Sequence, residues 1–233
     1  NLRIPQKTHK IGGLKMCSHQ VQHELLALTD RVVHRYYERF PFVWHRPQPI
    51  DLDLLLLELA GGSIKMYPIS RDGSVLGMTA HNRMIIRMEL EDGTIIRDTL
   101  FPKDIVIDSS LAGFHNTGLR NFTLAHEIGH QLLRTHFSFE NLPYELEEDF
   151  ADIIAMGILL PECLVRASMA LFRFPDTLPY VSRSHLDVHY PCFKEMARHL
   201  GVSRQLLAQR MKYLNVLTSD VPYRQFLPLP EVG

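Results

Sequence analysis

The segment FTLAHEIGHQLLRTH, residues 122–136, sets three histidines and one glutamate in a run of helix-forming residues. Four residues of α-helix advance about 400°, so His126 and His130 stand within roughly 40° of each other and about 6 Å apart along the axis. Two imidazoles on one helical face can reach a single ion. Glu127, one residue after the first ring, points near that ion but not at it. A carboxylate so placed can take a proton from a water at the metal. Zn²⁺ suits this chemistry, since it acidifies water and polarises a carbonyl.

His-Glu-x-x-His on a helix is the motif of zinc peptidases. Five-residue patterns also arise by chance, and the bland alternative is a surface helix with two solvated histidines. Leu124, Ile128, Leu132 and Leu133 weigh against it by giving the helix an apolar face beside the site, and Gly129 lets another chain approach closely. A protein zinc site also needs a third ligand. His136 lies ten residues after His126, a spacing used where a glycine turns the chain out of the helix. Leu133 occupies that glycine position here, and a continuing helix carries His136 about 9 Å past His130 along the axis. An exposed histidine at a helix end, favoured by the dipole, is the simpler account of His136.

The better third ligand is Glu148, in PYELEEDFADIIAMGILLP. Glu148 and Asp152 are four apart and share a helical face. Thermolysin-like gluzincins complete their sites this way, with a glutamate on zinc and an aspartate holding a ligand histidine by its other ring nitrogen. A solvated acidic helix start accounts for Glu145, Glu147 and Asp149. It does not account for Asp152, set among Phe150, Ala151, Ile153, Ile154 and Ala155, where an unpaired carboxylate is costly.

These helices need a scaffold. Val21, Leu25, Leu28, Val32 and Tyr36 recur at helical spacing from about Ser18 to Arg39, and DLDLLLLELAGG reads as a second short helix closed by Gly61-Gly62. PFVWHRPQP between them excludes helix. SIKMYPI, RMIIRMEL and TIIRDTLF read as strands joined through the turns RDGS and EDGT, and KDIVIDSSL adds another, Ile105–Ile107. Helices are expected over 121–135, about 145–160 ahead of Pro161, and 193–214, with a proline-bearing loop at FRFPDTLPYVSRSHLD. The fold class expected is α+β: a small mixed sheet packed on the active-site helix, with N-terminal helices and a C-terminal helix-turn-helix-like subdomain. The expected divisions are a tail over 1–13, a metallopeptidase-like domain over 14–180, the helical subdomain over 181–217 and a second tail over 218–233.

FTLAHEIGH followed by ExxxD in a helix ending LLPE resembles the ImmA/IrrE family of metallopeptidases. KDIVIDSSL is similar to that family's strand before the motif helix, and KEMARHLGVSRQLLAQRMKYLNVL to its helix-turn-helix-like segment. The order and spacing of these segments over roughly residues 50–217 carry the resemblance. The family pattern after the ligand glutamate is Glu-x-x-Ala-Asn/Asp-x-Phe-Ala. Here it reads Glu148-Asp-Phe-Ala-Asp-Ile-Ile-Ala155, with isoleucine where phenylalanine is common. The resemblance implies a zinc-dependent endopeptidase with His126, His130 and Glu148 as ligands, Glu127 as general base and Asp152 behind a ligand histidine. It also implies that the substrate is a partner protein, a helix-turn-helix repressor, in a bacterial cytoplasm.

Peptidases of this kind hold substrate extended against an edge strand, for which Ile105, Val106 and Ile107 are the candidates, though a core strand explains their side chains equally well. An oxyanion donor is also expected. Arg183, His185, His189 and Tyr190 lie in a suitable region, and nothing in their spacing selects one. In FKEMARHLGVSRQLLAQRMKYL, Ser203 is a good N-cap, and Arg204, Gln205, Gln209, Arg210 and Lys212 could meet DNA, although the same rhythm also packs as an ordinary helical corner. The rival to an enzyme is therefore a DNA- or partner-binding regulator whose metal site is structural. A formal charge of −1 over 233 residues supplies no global field for nucleic acid or membrane, and 45% hydrophobic with 22% charged residues excludes wholesale disorder. No apolar run reaches the roughly 18 residues of a membrane span. The polar start without a signal peptide and three widely spaced cysteines, Cys17, Cys163 and Cys192, make a reducing cytoplasm the expected setting.

Overall fold

The computed structural model describes residues 19–39, 47–70, 72–89, 93–135, 143–181 and 188–218. In chain order these form α1 (His19–Arg39), α2 (Leu52–Ala60), β1 (Ile64–Tyr67), β2 (Gly77–Thr79), β3 (Met84–Glu89), β4 (Ile95–Leu100), β5 (Ile105–Asp108), α3 (Thr117–Thr135), α4 (Tyr144–Leu159), α5 (Glu162–Leu171), α6 (Tyr190–His199) and α7 (Arg204–Tyr213). The class is α+β, as the segment pattern predicts. Two compact units emerge. One joins residues up to Ala27 with Asp51–Ala155, and the other joins Leu28–Ile50 with Met156 onward.

In the first unit β5 lies between β1, which it pairs in parallel, and β2, which it pairs antiparallel. Consecutive apolar residues suit a strand covered on both faces, and Ile105, Val106 and Ile107 are buried to within 1%. Val106 packs with Ala80, Leu100, Met78 and Ile86 beneath the two-stranded β3–β4 ribbon. Alternation turns Ile105 and Ile107 to the other face, where α3 lies on β2 and β5. This corrects the expectation for Ile105, Val106 and Ile107. They form a central strand whose main chain is bonded on both sides, so they cannot offer a substrate edge.

The edge beside α3 is β2, a three-residue strand missing from the sequence reading. Ladder bonds Ala80 N–H to Asp104 O (2.8 Å) and Asp108 N–H to Leu76 O (2.8 Å) fix its parity. Main-chain groups of Met78 face β5, while those of Gly77 and Thr79 face away. Gly77 also lets the sheet close on α3, because a Cβ there would stand 2.7 Å from Thr123 Cγ2.

The other expected strands stand as β1, β3, β4 and β5, and α2 opens with Asp51 Oδ1 accepting from Leu54 N–H at 3.0 Å. In the second unit α5 follows Pro161, where the sequence pattern predicts no element. Ser203 caps α7 as expected, its hydroxyl accepting from Leu206 N–H at 3.1 Å. Arg210 departs from the reading that it could meet DNA. It is 2% exposed, donates Nε–H to Leu160 O at 2.8 Å and pairs with Asp30 at 3.4 Å. Leu206, Leu207, Ala208 and Met211 are buried as well, and Arg204, Gln205, Gln209 and Lys212 are half-buried.

Candidate metal centre

α3 is buried from Phe122 through Gly129, so its polar residues need partners. α4 supplies them. It comes close because position 129 is glycine; a Cβ there would meet Ala151 O at 3.0 Å and Ala151 Cα at 3.2 Å. The anticipated close approach to Gly129 is therefore made by the α4 backbone, which sets the carboxylates of α4 against the rings of α3.

The Nε2 atoms of His126 and His130 face each other at 3.0 Å. Glu148 reaches both, Oε2 at 3.5 Å from His126 Nε2 and Oε1 at 3.5 Å from His130 Nε2. One donor atom from each of the three residues lies within 4.8 Å of the others, a group able to hold a metal ion. The remaining ring nitrogens are engaged from behind. His126 Nδ1 meets Asp152 Oδ1 at 2.8 Å, and His130 Nδ1 meets Glu147 Oε1 at 3.3 Å. A carboxylate at Nδ1 favours the Nδ1–H tautomer and turns the Nε2 lone pair inward. Two ring nitrogens and a carboxylate converging on one point is a donor set that attracts a cation, a proton on His126 or a metal ion shared by all three. Burial works against a charged His126, yet hydrogen bonds to Asp152 and Glu148 outweigh it and raise its pKa to about 10. The pocket is built for positive charge, and nitrogen with carboxylate oxygen suits zinc.

Glu127 stands apart from this ring of donors, as its place in the helix implies. Its Oε2 accepts from Thr79 Oγ1 at 2.7 Å, and the same hydroxyl lies 3.3 Å from the Glu127 main-chain carbonyl. The edge strand thus holds the carboxylate beside the two rings. Phe122 stacks toward His126 with ring centroids 6.3 Å apart.

Three participants were missed. Glu147, which a solvated helix start would explain, instead backs His130 and is bridged by Arg134 at 3.2 Å. Thr79 lay in a segment with no recognised strand. Tyr144, one turn before Glu148, hydrogen-bonds that carboxylate, a contact visible in principle as an i,i+4 pair. His81, just past β2, lies within electrostatic reach of Glu127, His130, Glu147 and Arg134. Of the other residues considered, His136, Arg183 and His185 lie outside the described residues, and His189 and Tyr190 belong to the second unit.

A family model for the IrrE N-terminal-like domain (Peptidase_M78) matches residues 81–212, more than half of the chain. No curated protein matches. A solved Mycobacterium tuberculosis transcriptional regulator aligns over 88% of this chain and 51% of its own, with 18% identity and a TM-score of 0.42; the chain spans about half of that protein.

Proposed function

The chain belongs to the IrrE N-terminal-like (Peptidase_M78) family, within ImmA/IrrE, and from that premise we propose that it is a zinc-dependent endopeptidase. The observation that carries this reading is the pairing of a His126–His130–Glu148 donor group with a separate carboxylate, Glu127, anchored by Thr79 on an open strand edge. Bound there, zinc would polarise the scissile carbonyl and offset the negative charge that grows on its oxygen. Glu127 holds the proton removed from the attacking water and returns it to the departing amine. Asp152 and Glu147 fix the two imidazoles, and Thr79 keeps Glu127 from swinging into the donor group.

In place of β5, we assign substrate alignment to β2. The outward main-chain groups of Gly77 and Thr79 can add an extended segment by strand pairing, which supplies affinity with little sequence preference. The partner we propose is a helix-turn-helix repressor, following the sequence resemblance, cut in the cytoplasm. Cys163 and Cys192 are free thiols, which suits that setting.

The test is Glu127→Gln. Zinc content and melting temperature should stay unchanged, while cleavage of a helix-turn-helix repressor substrate, read by mass spectrometry, falls about 10²–10⁴-fold. Full cleavage by the variant refutes the peptidase. The second reading, a DNA-binding regulator with a structural metal, predicts a salt-sensitive, sequence-preferring gel shift; the burial of Arg210 speaks against it.

A further inference from the structure

The β3–β4 ribbon turns an unusual face to solvent. Its register pairs Ile85 with Thr99, Arg87 with Arg97 and Glu89 with Ile95. Ile86 and Leu100 face the core, so Ile85, Arg87, Ile95 and Arg97 face out, and Arg83 and Phe101 adjoin the ribbon at its Met84–Leu100 end. The outward face of such a ribbon is ordinarily polar. Here Ile85 is 72% exposed, Phe101 55% and Ile95 46%. Arg83, Arg87 and Arg97 are exposed too, and none of the three makes a hydrogen bond or ion pair with a described residue. Like charges directly opposite across a strand pair are destabilising, so the Arg87–Arg97 pairing works against the ribbon it sits on.

We propose that this face docks an acidic protein segment bearing apolar side chains. Arginine and aromatic residues are the types enriched at protein interfaces, and an acidic partner relieves the repulsion between Arg87 and Arg97. A second copy is a poor occupant, because two such faces meeting would set arginines against arginines. Nucleic acid fits less well: a phosphate backbone would satisfy the guanidiniums but leave Ile85, Ile95 and Phe101 against charge, and the chain as a whole, at −1, adds no attracting field. The assignment stands independently of the peptidase reading, since it concerns binding alone.

Fluorescence anisotropy with a short labelled peptide alternating glutamate and valine tests it on the full chain. The peptide should bind saturably, weaken as salt rises, and be lost when lysine replaces its glutamates. Arg87→Gln with Arg97→Gln should reduce affinity at least about tenfold, as expected for removing a charged anchor pair. Arg87→Glu, which creates an opposite-charge cross-strand pair, should also weaken binding without lowering the melting temperature, separating docking from folding. The proposal fails if the wild-type chain does not bind the peptide, if the variants bind it as tightly, or if a single-stranded DNA oligonucleotide is preferred over it.

Discussion

Two regions bury charge, and they do so in opposite ways. Around Arg210 the groups that meet are complementary: a guanidinium donates to the Leu160 carbonyl and faces the Asp30 carboxylate. Around His126 the groups that converge are all potential metal donors, two ring nitrogens 3.0 Å apart with a carboxylate 3.5 Å from each. The first arrangement is complete in itself. The second is held at its rim by Asp152 and Glu147 and gathers three potential metal ligands at its centre. Burial of a charged residue therefore says little about function; whether neighbouring groups complement or duplicate one another says much more.

The sharpest way to break this contrast is to remove a member of each set and measure zinc. Glu148→Gln should weaken zinc binding by more than about 100-fold, beyond the loss expected from removing an outer partner. Arg210→Met should leave zinc affinity as it is. Competition titration against a chromophoric chelator reads both; equal losses would mean that the metal group depends on general fold integrity and not on its own donors.

Stability should show the reverse ordering. Arg210→Ala leaves Asp30 facing an apolar hole, at a cost of about 3 kcal/mol, the low end for a broken buried pair because Asp30 keeps part of its side chain in solvent. Arg210→Met combined with Asp30→Leu should recover most of that loss, as apolar replacements of a buried pair often do. Urea denaturation of the single and double variants tests this, and an unrecovered loss would show that the pair does more than fill space.

Asp152→Asn and Glu147→Gln probe the rim. Each should reduce zinc affinity about 10–100-fold. Asp152 should have the larger effect, since its contact is 2.8 Å against 3.3 Å and Glu147 divides its charge with Arg134. The two residues differ in how far the sequence foretold them. Asp152 stood out because a carboxylate among apolar neighbours needs a partner, and the i,i+4 relation to Glu148 indicated which way it points. Glu147 had an adequate local explanation in the helix dipole, and its real partner depends on how α4 crosses α3, a non-local fact.

The strands follow the same rule. Ile105-Val106-Ile107 already bore the mark of a central strand in its unbroken apolar run, which fits a segment covered on both faces better than an edge. β2 left almost no mark, because Gly77-Met78-Thr79 is too short for a period and contains one residue of strong strand preference. α1, α3 and α4 were legible because they run for 21, 19 and 16 residues; the ten-residue α5 was hidden by Pro161 at its start and the proline-bearing loop after it. What was legible was chemistry held within one helical turn. What was not is chemistry assembled by tertiary approach, as in Thr79 reaching Glu127.

A third cluster marks the small end of the scale. Asp98 accepts from Lys65 Nζ at 2.7 Å and from Tyr67 Oη at 2.6 Å, and these bonds hold its carboxyl down at about 2. A folded pKa below the ordinary 3.8 means that the charged form is favoured by folding. The contribution is fully present above about pH 4 and fades as pH falls toward 2. Unlike the other two clusters it has no buried member, so water and salt screen it and its effect on stability is the least of the three. Asp98→Asn should make melting temperature fall less steeply between pH 4 and 2 than it does in the wild-type chain, with the difference shrinking in high salt. Parallel slopes would mean that Lys65 and Tyr67 give the carboxylate nothing that solvent does not.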